Sequence, residues 1–120
     1  MAQMIKKSFA TPDETRPITK GKVEVVNVGD RQPMRTTFEP GWRWSESVKP
    51  IVKTDSCQVH HLIYMVSGRM GVRMDDGTEA EFGPGDVGEV PEGHDAWVIG
   101  DEPVVAVDFG GGAVYAKPKA

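Results

Sequence analysis

The sequence predicts an all-β fold, a sandwich or barrel of short antiparallel strands. Three observations predict it. No stretch of the chain has helical periodicity in its apolar residues. Fourteen glycines and nine prolines punctuate it every few residues, which suits short strands and tight turns. Between Arg69 and Phe82, apolar and polar residues alternate in two runs on either side of Asp75-Asp76-Gly77, the pattern of a half-buried hairpin. With no crossover helices between the runs, the strands pair antiparallel.

The elements follow in order. Residues 1–20 mix polar residues with Pro12 and Pro17 and read as an arm that packs on the body or on a neighbouring subunit. Residues 23–28 read as a strand, and residues 34–38 as another, stopped by Pro40-Gly41. Trp42 and Trp44 read as core or interface residues. Residues 48–52 and 57–66 read as two further strands, the second longer and apolar on both faces between Leu62 and Val66. In the hairpin, a two-residue turn would mix its faces. A three-residue loop pairs Met74 with Thr78, Val72 with Ala80 and Met70 with Phe82, and keeps one face apolar. Gly77 then supplies the left-handed position. Gly83-Pro84-Gly85-Asp86 and Pro91-Glu92-Gly93 are turns around a short strand at 87–90. Strands at 94–99 and 104–109 complete the series, and Gly110-Gly111-Gly112 ends the last of them.

Composition narrows the function classes. A length of 120 residues fits one domain, with the arm at 1–20 and a barrel core at 34–109. Acidic residues outnumber basic ones 18 to 14, for a net charge of −4, and no Lys/Arg cluster could track a phosphate backbone, so nucleic-acid binding is not expected. No apolar run approaches the roughly 20 residues that span a bilayer. The first residues carry charges with no apolar stretch after them, unlike a secretory leader. Cys57 is the single cysteine, so no internal disulfide can form. A cytoplasmic protein is the expectation. There is no Gly-x-Ser-x-Gly elbow, and Gly83-Pro84-Gly85-Asp86 lacks the helix and lysine of a phosphate loop.

Two segments resemble the cupin family. Gly85-Asp86-Val87-Gly88-Glu89-Val90-Pro91-Glu92-Gly93 is similar to the second cupin motif, a Gly, five residues and Pro-x-Gly. Tyr64-Met65-Val66-Ser67-Gly68-Arg69-Met70 is similar to the end of the first. The resemblance spans residues 38–109. It implies a double-stranded β-helix, a jelly-roll barrel of two sheets, and in many members a divalent metal held by three His and one Glu. Every usual ligand position departs from that pattern here. Counting back from Gly68, the Glu position holds His61, and the first two His positions fall at Asp55 and Cys57. Three residues beyond Gly93 stands Ala96, with His94 one step nearer on the same parity.

The altered set still has metal-binding chemistry. Asp55, Cys57, Val59, His61, Ile63 and Met65 share one parity and so one strand face. Thiolate, imidazole and carboxylate together suit zinc better than an iron oxygenase site. The metal candidates are therefore Cys57, His61 and His94, with Asp55 less favoured because it sits in a Thr-Asp-Ser turn sequence. The ligand-binding candidates are His61, His94, Val59, Ile63 and Met65, and His61 and His94 are expected to face each other with Cys57 beside His61. Each residue also has a plainer role. Cys57 can be an inert buried residue, His61 a polar group in a cavity without metal, and His94 a turn residue. His60, of opposite parity, belongs on the outer face.

Three function classes remain open on the sequence alone. A small-molecule binding barrel fits an interior with two imidazoles amid apolar residues. A metal-dependent isomerase, hydrolase or oxygenase fits the Cys/His set. A structural or regulatory dimer without catalysis fits the doubly apolar strand, and a homodimer is the expected assembly.

Overall fold

The computed structural model describes residues 3–110 and 115–116. Its elements in chain order are β1 (Glu14–Ile18), β2 (Gly21–Val25), β3 (Met34–Phe38), α1 (Trp44–Ser47), α2 (Lys49–Val52), β4 (His61–Ser67), β5 (Met70–Met74), β6 (Glu79–Phe82), β7 (Val87–Val90), β8 (His94–Val98) and β9 (Val104–Asp108). They form two antiparallel sheets, one of six strands in the order β1-β2-β3-β9-β4-β7 and one of three in the order β6-β5-β8.

Alternation decides which side chains turn inward. In β3, β8 and β9 every second residue is buried: Met34, Thr36 and Phe38; His94, Ala96 and Val98; Val104, Ala106 and Asp108. In β4, His61, Ile63 and Met65 point inward, while Leu62, Tyr64 and Val66 remain 44–48% exposed. The core between the sheets joins Met65, Val72, Val98 and Val104 to Trp42 and Trp44 at one end.

The hairpin of β5 and β6 has the three-residue loop and the register expected from its pattern. Met70 pairs with Phe82 and Val72 with Ala80, and the Met74 N–H donates to Thr78 at 2.8 Å. Gly77 takes φ +93°, a region that costs other residues strain.

Three expectations are corrected. Residues 48–52 are not a strand: Lys49–Val52 form α2, with Val48 as its N-cap. Pro50 lies in the first turn of this helix, where a missing N–H costs nothing, whereas in a strand it would remove a ladder hydrogen bond. Residues 57–66 are not one strand: β4 begins at His61, and Cys57 meets the other sheet through an isolated bridge to His94. Of residues 1–20, read as an arm packing on the body or on a neighbouring subunit, 14–18 do pack on the body, but as a strand, β1, which pairs with β2 along its length. The preceding segment crosses β2 and β3, with the Asp13 N–H on the Val25 carbonyl and the Arg35 guanidinium over the Phe9 ring, and leaves the outer face of β4 uncovered. Gly111 and Gly112, read as the end of the last strand, lie outside the described residues. Among the described residues, no helix is long and apolar enough to cross a membrane.

Candidate metal centre

Three elements deliver three donor atoms to one place. β4 opens at His61, whose side chain takes the first inward position. The Pro91-Glu92-Gly93 turn, with Gly93 at φ +92°, delivers His94 to the first inward position of β8. Cys57 is tied to that turn by its backbone: its N–H donates to the His94 carbonyl at 2.7 Å, and the Gly93 N–H donates to the Cys57 carbonyl at 2.7 Å. The side chains of Cys57, His61 and His94 are all buried, and one donor atom from each lies within 4.8 Å of the other two. The two imidazoles stand edge to face with centroids 5.2 Å apart and 70° between their planes.

The Cys57–His61 spacing suits two ligands of a tetrahedral ion. Zinc bonds of about 2.3 Å to sulfur and about 2.0 Å to nitrogen separate two tetrahedral ligands by about 3.5 Å. Cys57 Sγ and His61 Nε2 are 3.6 Å apart. The far nitrogen of each ring is already engaged. His61 Nδ1–H donates to the buried Asp108 carboxylate, and His94 Nδ1–H donates to the Pro91 carbonyl at 2.8 Å. With Nδ1 engaged, Nε2 is the nitrogen of each ring left to ligate, the arrangement by which outer partners orient metal-binding histidines.

The electrostatics follow from the same contacts. Burial pushes the Cys57 thiol up, but hydrogen bonds from His61 and His94 outweigh it and bring the group down to about 7. Burial pushes His61 down, while Asp108 and then Cys57 more than compensate, raising it to about 9. The pair therefore favours thiolate beside imidazolium when no metal competes for the lone pairs.

The two imidazoles line a pocket between the sheets. Its open space, mouth included, is about 450 Å³. Phe38, Ile63, Met70, Val72, Ala96 and Ala106 contribute apolar wall; Trp42, Trp44, Asp108 and Tyr115 contribute aromatic and polar wall. The Tyr115 ring meets the His61 ring edge-on at 5.1 Å. Burial raises the Tyr115 phenol well above its ordinary range, so it stays protonated.

Cys57, His61 and His94 thus come together. Asp55 does not join them: it is exposed on the bend before Cys57. Ile63 lines the pocket, but Val59 and Met65 do not. Val59 lies in the irregular stretch before β4, where strand parity no longer holds, and Met65 is wholly buried in the core farther along β4. His60 is on the outer surface, bonded to Glu89 at 2.9 Å and Glu92 at 3.0 Å. Ala96 lines the pocket at the position of the missing ligand, one inward step from His94. Sequence reasoning missed Asp108, which the alternation Val104, Ala106, Asp108 marks as an acid facing inward. It also missed the pocket roles of Trp42, Trp44 and Tyr115; Tyr115 follows the last strand and carries no periodic signal.

No protein-family model matches the chain, and no curated protein matches its sequence. Solved structures do. Oxalate decarboxylase from Lactobacillus farciminis, in its formate complex, matches with a TM-score of 0.61 at 20% identity over 85% of this chain and 32% of its own. The polyketide cyclase RemF from Streptomyces resistomycificus matches with a TM-score of 0.63 at 17% identity, over 90% of this chain and 79% of its own. KdgF from a Halomonas species matches with a TM-score of 0.57 at 17% identity, over 81% and 84%. The chain thus spans about a third of the decarboxylase and most of the other two. At these identities the likeness is one of fold: this protein has the double-sheet cupin-like architecture that its Pro-x-Gly turn predicts.

Proposed function

We propose that this cupin-like barrel holds one divalent metal, zinc favoured, on Cys57, His61 and His94, and binds a small molecule in the adjoining pocket. The observation that carries the proposal is the meeting of three buried donors with the Asp108–His61 and Pro91–His94 hydrogen bonds, which engage both Nδ1 atoms and leave Nε2 as the nitrogen of each ring able to ligate. A thiolate ligand favours zinc over the iron of an oxygenase. Charge supports the reading too. A dication, one thiolate and two neutral imidazoles sum to +1, and the Asp108 carboxylate behind His61 brings the buried centre to neutrality.

A second reading is a metal-dependent enzyme, an isomerase or hydrolase. What favours it is that three protein ligands leave a position open, and His61 and His94 both line the pocket. A metal held there by Cys57, His61 and His94 would supply Lewis acidity to a carbonyl or water oxygen. His61 and His94 orient it, Asp108 fixes the His61 tautomer, and the apolar wall excludes bulk water.

Elemental analysis of protein incubated with zinc and desalted tests the proposal. One zinc per chain is expected in the native protein, with loss of stoichiometric binding in Cys57→Ala and His61→Ala. Full retention in both variants would overturn it. We further propose that a second copy of the chain covers the exposed apolar face of β4.

A further inference from the structure

Trp42 and Trp44 each keep a buried indole N–H with no acceptor among the described residues. Both side chains are 2% exposed, and both wall the pocket. Buried donors almost always find a partner, so two orphans on one cavity are a feature the metal centre does not explain. Neither indole is a misplaced surface group. Phe38 stacks on Trp42 at 3.8 Å, and Trp44 opens α1, whose Ser45 N–H is held by Asp95 at 3.1 Å.

The rest of the lining limits what can accept from them. Among the described residues, no lysine or arginine lines the pocket, while the Asp108 carboxylate does. Asp108 is itself a buried carboxylate in that wall, so an anionic guest would bring a second negative charge into an apolar enclosure. A carbonyl oxygen has two lone pairs and no charge, and can take a hydrogen bond from either indole or both. The hydrocarbon part of such a guest would meet Ile63, Val72, Ala96 and Ala106.

We propose that the pocket takes a small neutral carbonyl compound, of the kind represented by a short-chain amide, whose oxygen accepts from the indole N–H groups of Trp42 and Trp44. The proposal rests on the pocket being the ligand site, and not on the metal.

Nitrogen-15 labelled indoles read it directly, since the chain has three tryptophans and so three side-chain N–H signals. Trp97→Phe identifies the third. Isobutyramide is titrated into zinc-treated and metal-free protein, with its isostere isobutyrate as the anionic control. The expected result is a saturable downfield shift of the Trp42 and Trp44 signals with the amide in both preparations, no shift of Trp97, and binding of isobutyrate at least tenfold weaker. Trp44→Phe should weaken the amide about fivefold, the share of one neutral hydrogen bond. Indole signals that stay still at saturating amide overturn the proposal, as does isobutyrate binding as tightly as the amide. If no zinc is taken up but the indoles shift with the amide, the metal reading fails and this one stands.

Discussion

His61 organises the centre because its two ring nitrogens have different partners: Nδ1 faces Asp108, and Nε2 faces Cys57 Sγ. Asp108→Asn removes the carboxylate that holds the tautomer. It should lower zinc affinity about 10- to 100-fold, measured by chelator competition, with the fold retained by circular dichroism. The pH dependence has a definite sign. Ligation needs thiolate and a neutral His61, with Cys57 near 7 and His61 near 9 in the metal-free chain. Below 7 both groups must release a proton to the metal; between 7 and 9 only His61 must; above 9 neither does. Zinc affinity should therefore rise with pH through this range and level off above it, with protons released on binding. Affinity that falls with pH across this range would contradict the assignment. Strand parity suggested the Cys57–His61 pair and the cupin resemblance of the Pro91-Glu92-Gly93 turn suggested His94, although Cys57 is not on the strand that parity assumed. The two meet because Cys57 bridges β8 of the three-stranded sheet while His61 opens β4 of the six-stranded one, and both side chains face the space between the sheets. Asp108 was less readable because its role is set by a partner 47 positions away in sequence.

At the scale of elements, patterning was most legible where one face is buried. The β5–β6 hairpin has its register because a one-residue slip would turn Met70 and Val72 toward water. Gly77→Ala isolates the turn geometry. A Cβ there would touch nothing within 4 Å, so only the left-handed backbone resists it. The variant should lose about 1 kcal/mol in denaturant unfolding, with zinc binding unchanged. Gly71→Ala should cost more, because its Cβ would stand 2.4 Å from Trp97 Cε2 in the facing β8 strand. The short helices were not legible. Four residues each are too few to show a helical period, and their apolar Val48, Ile51 and Val52 read equally well as a strand until Pro50 is given weight.

For the whole molecule, the outer face of the six-stranded sheet bears on assembly. Leu62, Tyr64, Val66 and Phe109 are 44–59% exposed, and Val87 on the edge strand β7 is 68% exposed beside them. A second copy placed on this face by a two-fold axis would bury all five. Light scattering should then give twice 13.1 kDa for the native chain and 13.1 kDa for Tyr64→Glu. A native particle of 13.1 kDa at micromolar concentration would contradict the dimer. The cupin-like architecture was legible because Gly and Pro turns carry it, and those survive at 83–86 and 91–93 although every usual ligand position has changed.

Cobalt titration tests the central claim most directly, because cobalt reports both geometry and ligand type where zinc is silent. On the native chain, one equivalent of cobalt(II) should produce intense visible absorption of a tetrahedral ion together with a near-ultraviolet thiolate-to-cobalt band, both displaced by zinc. The thiolate band should vanish in Cys57→Ser. Weak octahedral absorption without a thiolate band in the native chain, or a thiolate band unchanged in Cys57→Ser, would contradict a metal centre built from Cys57, His61 and His94.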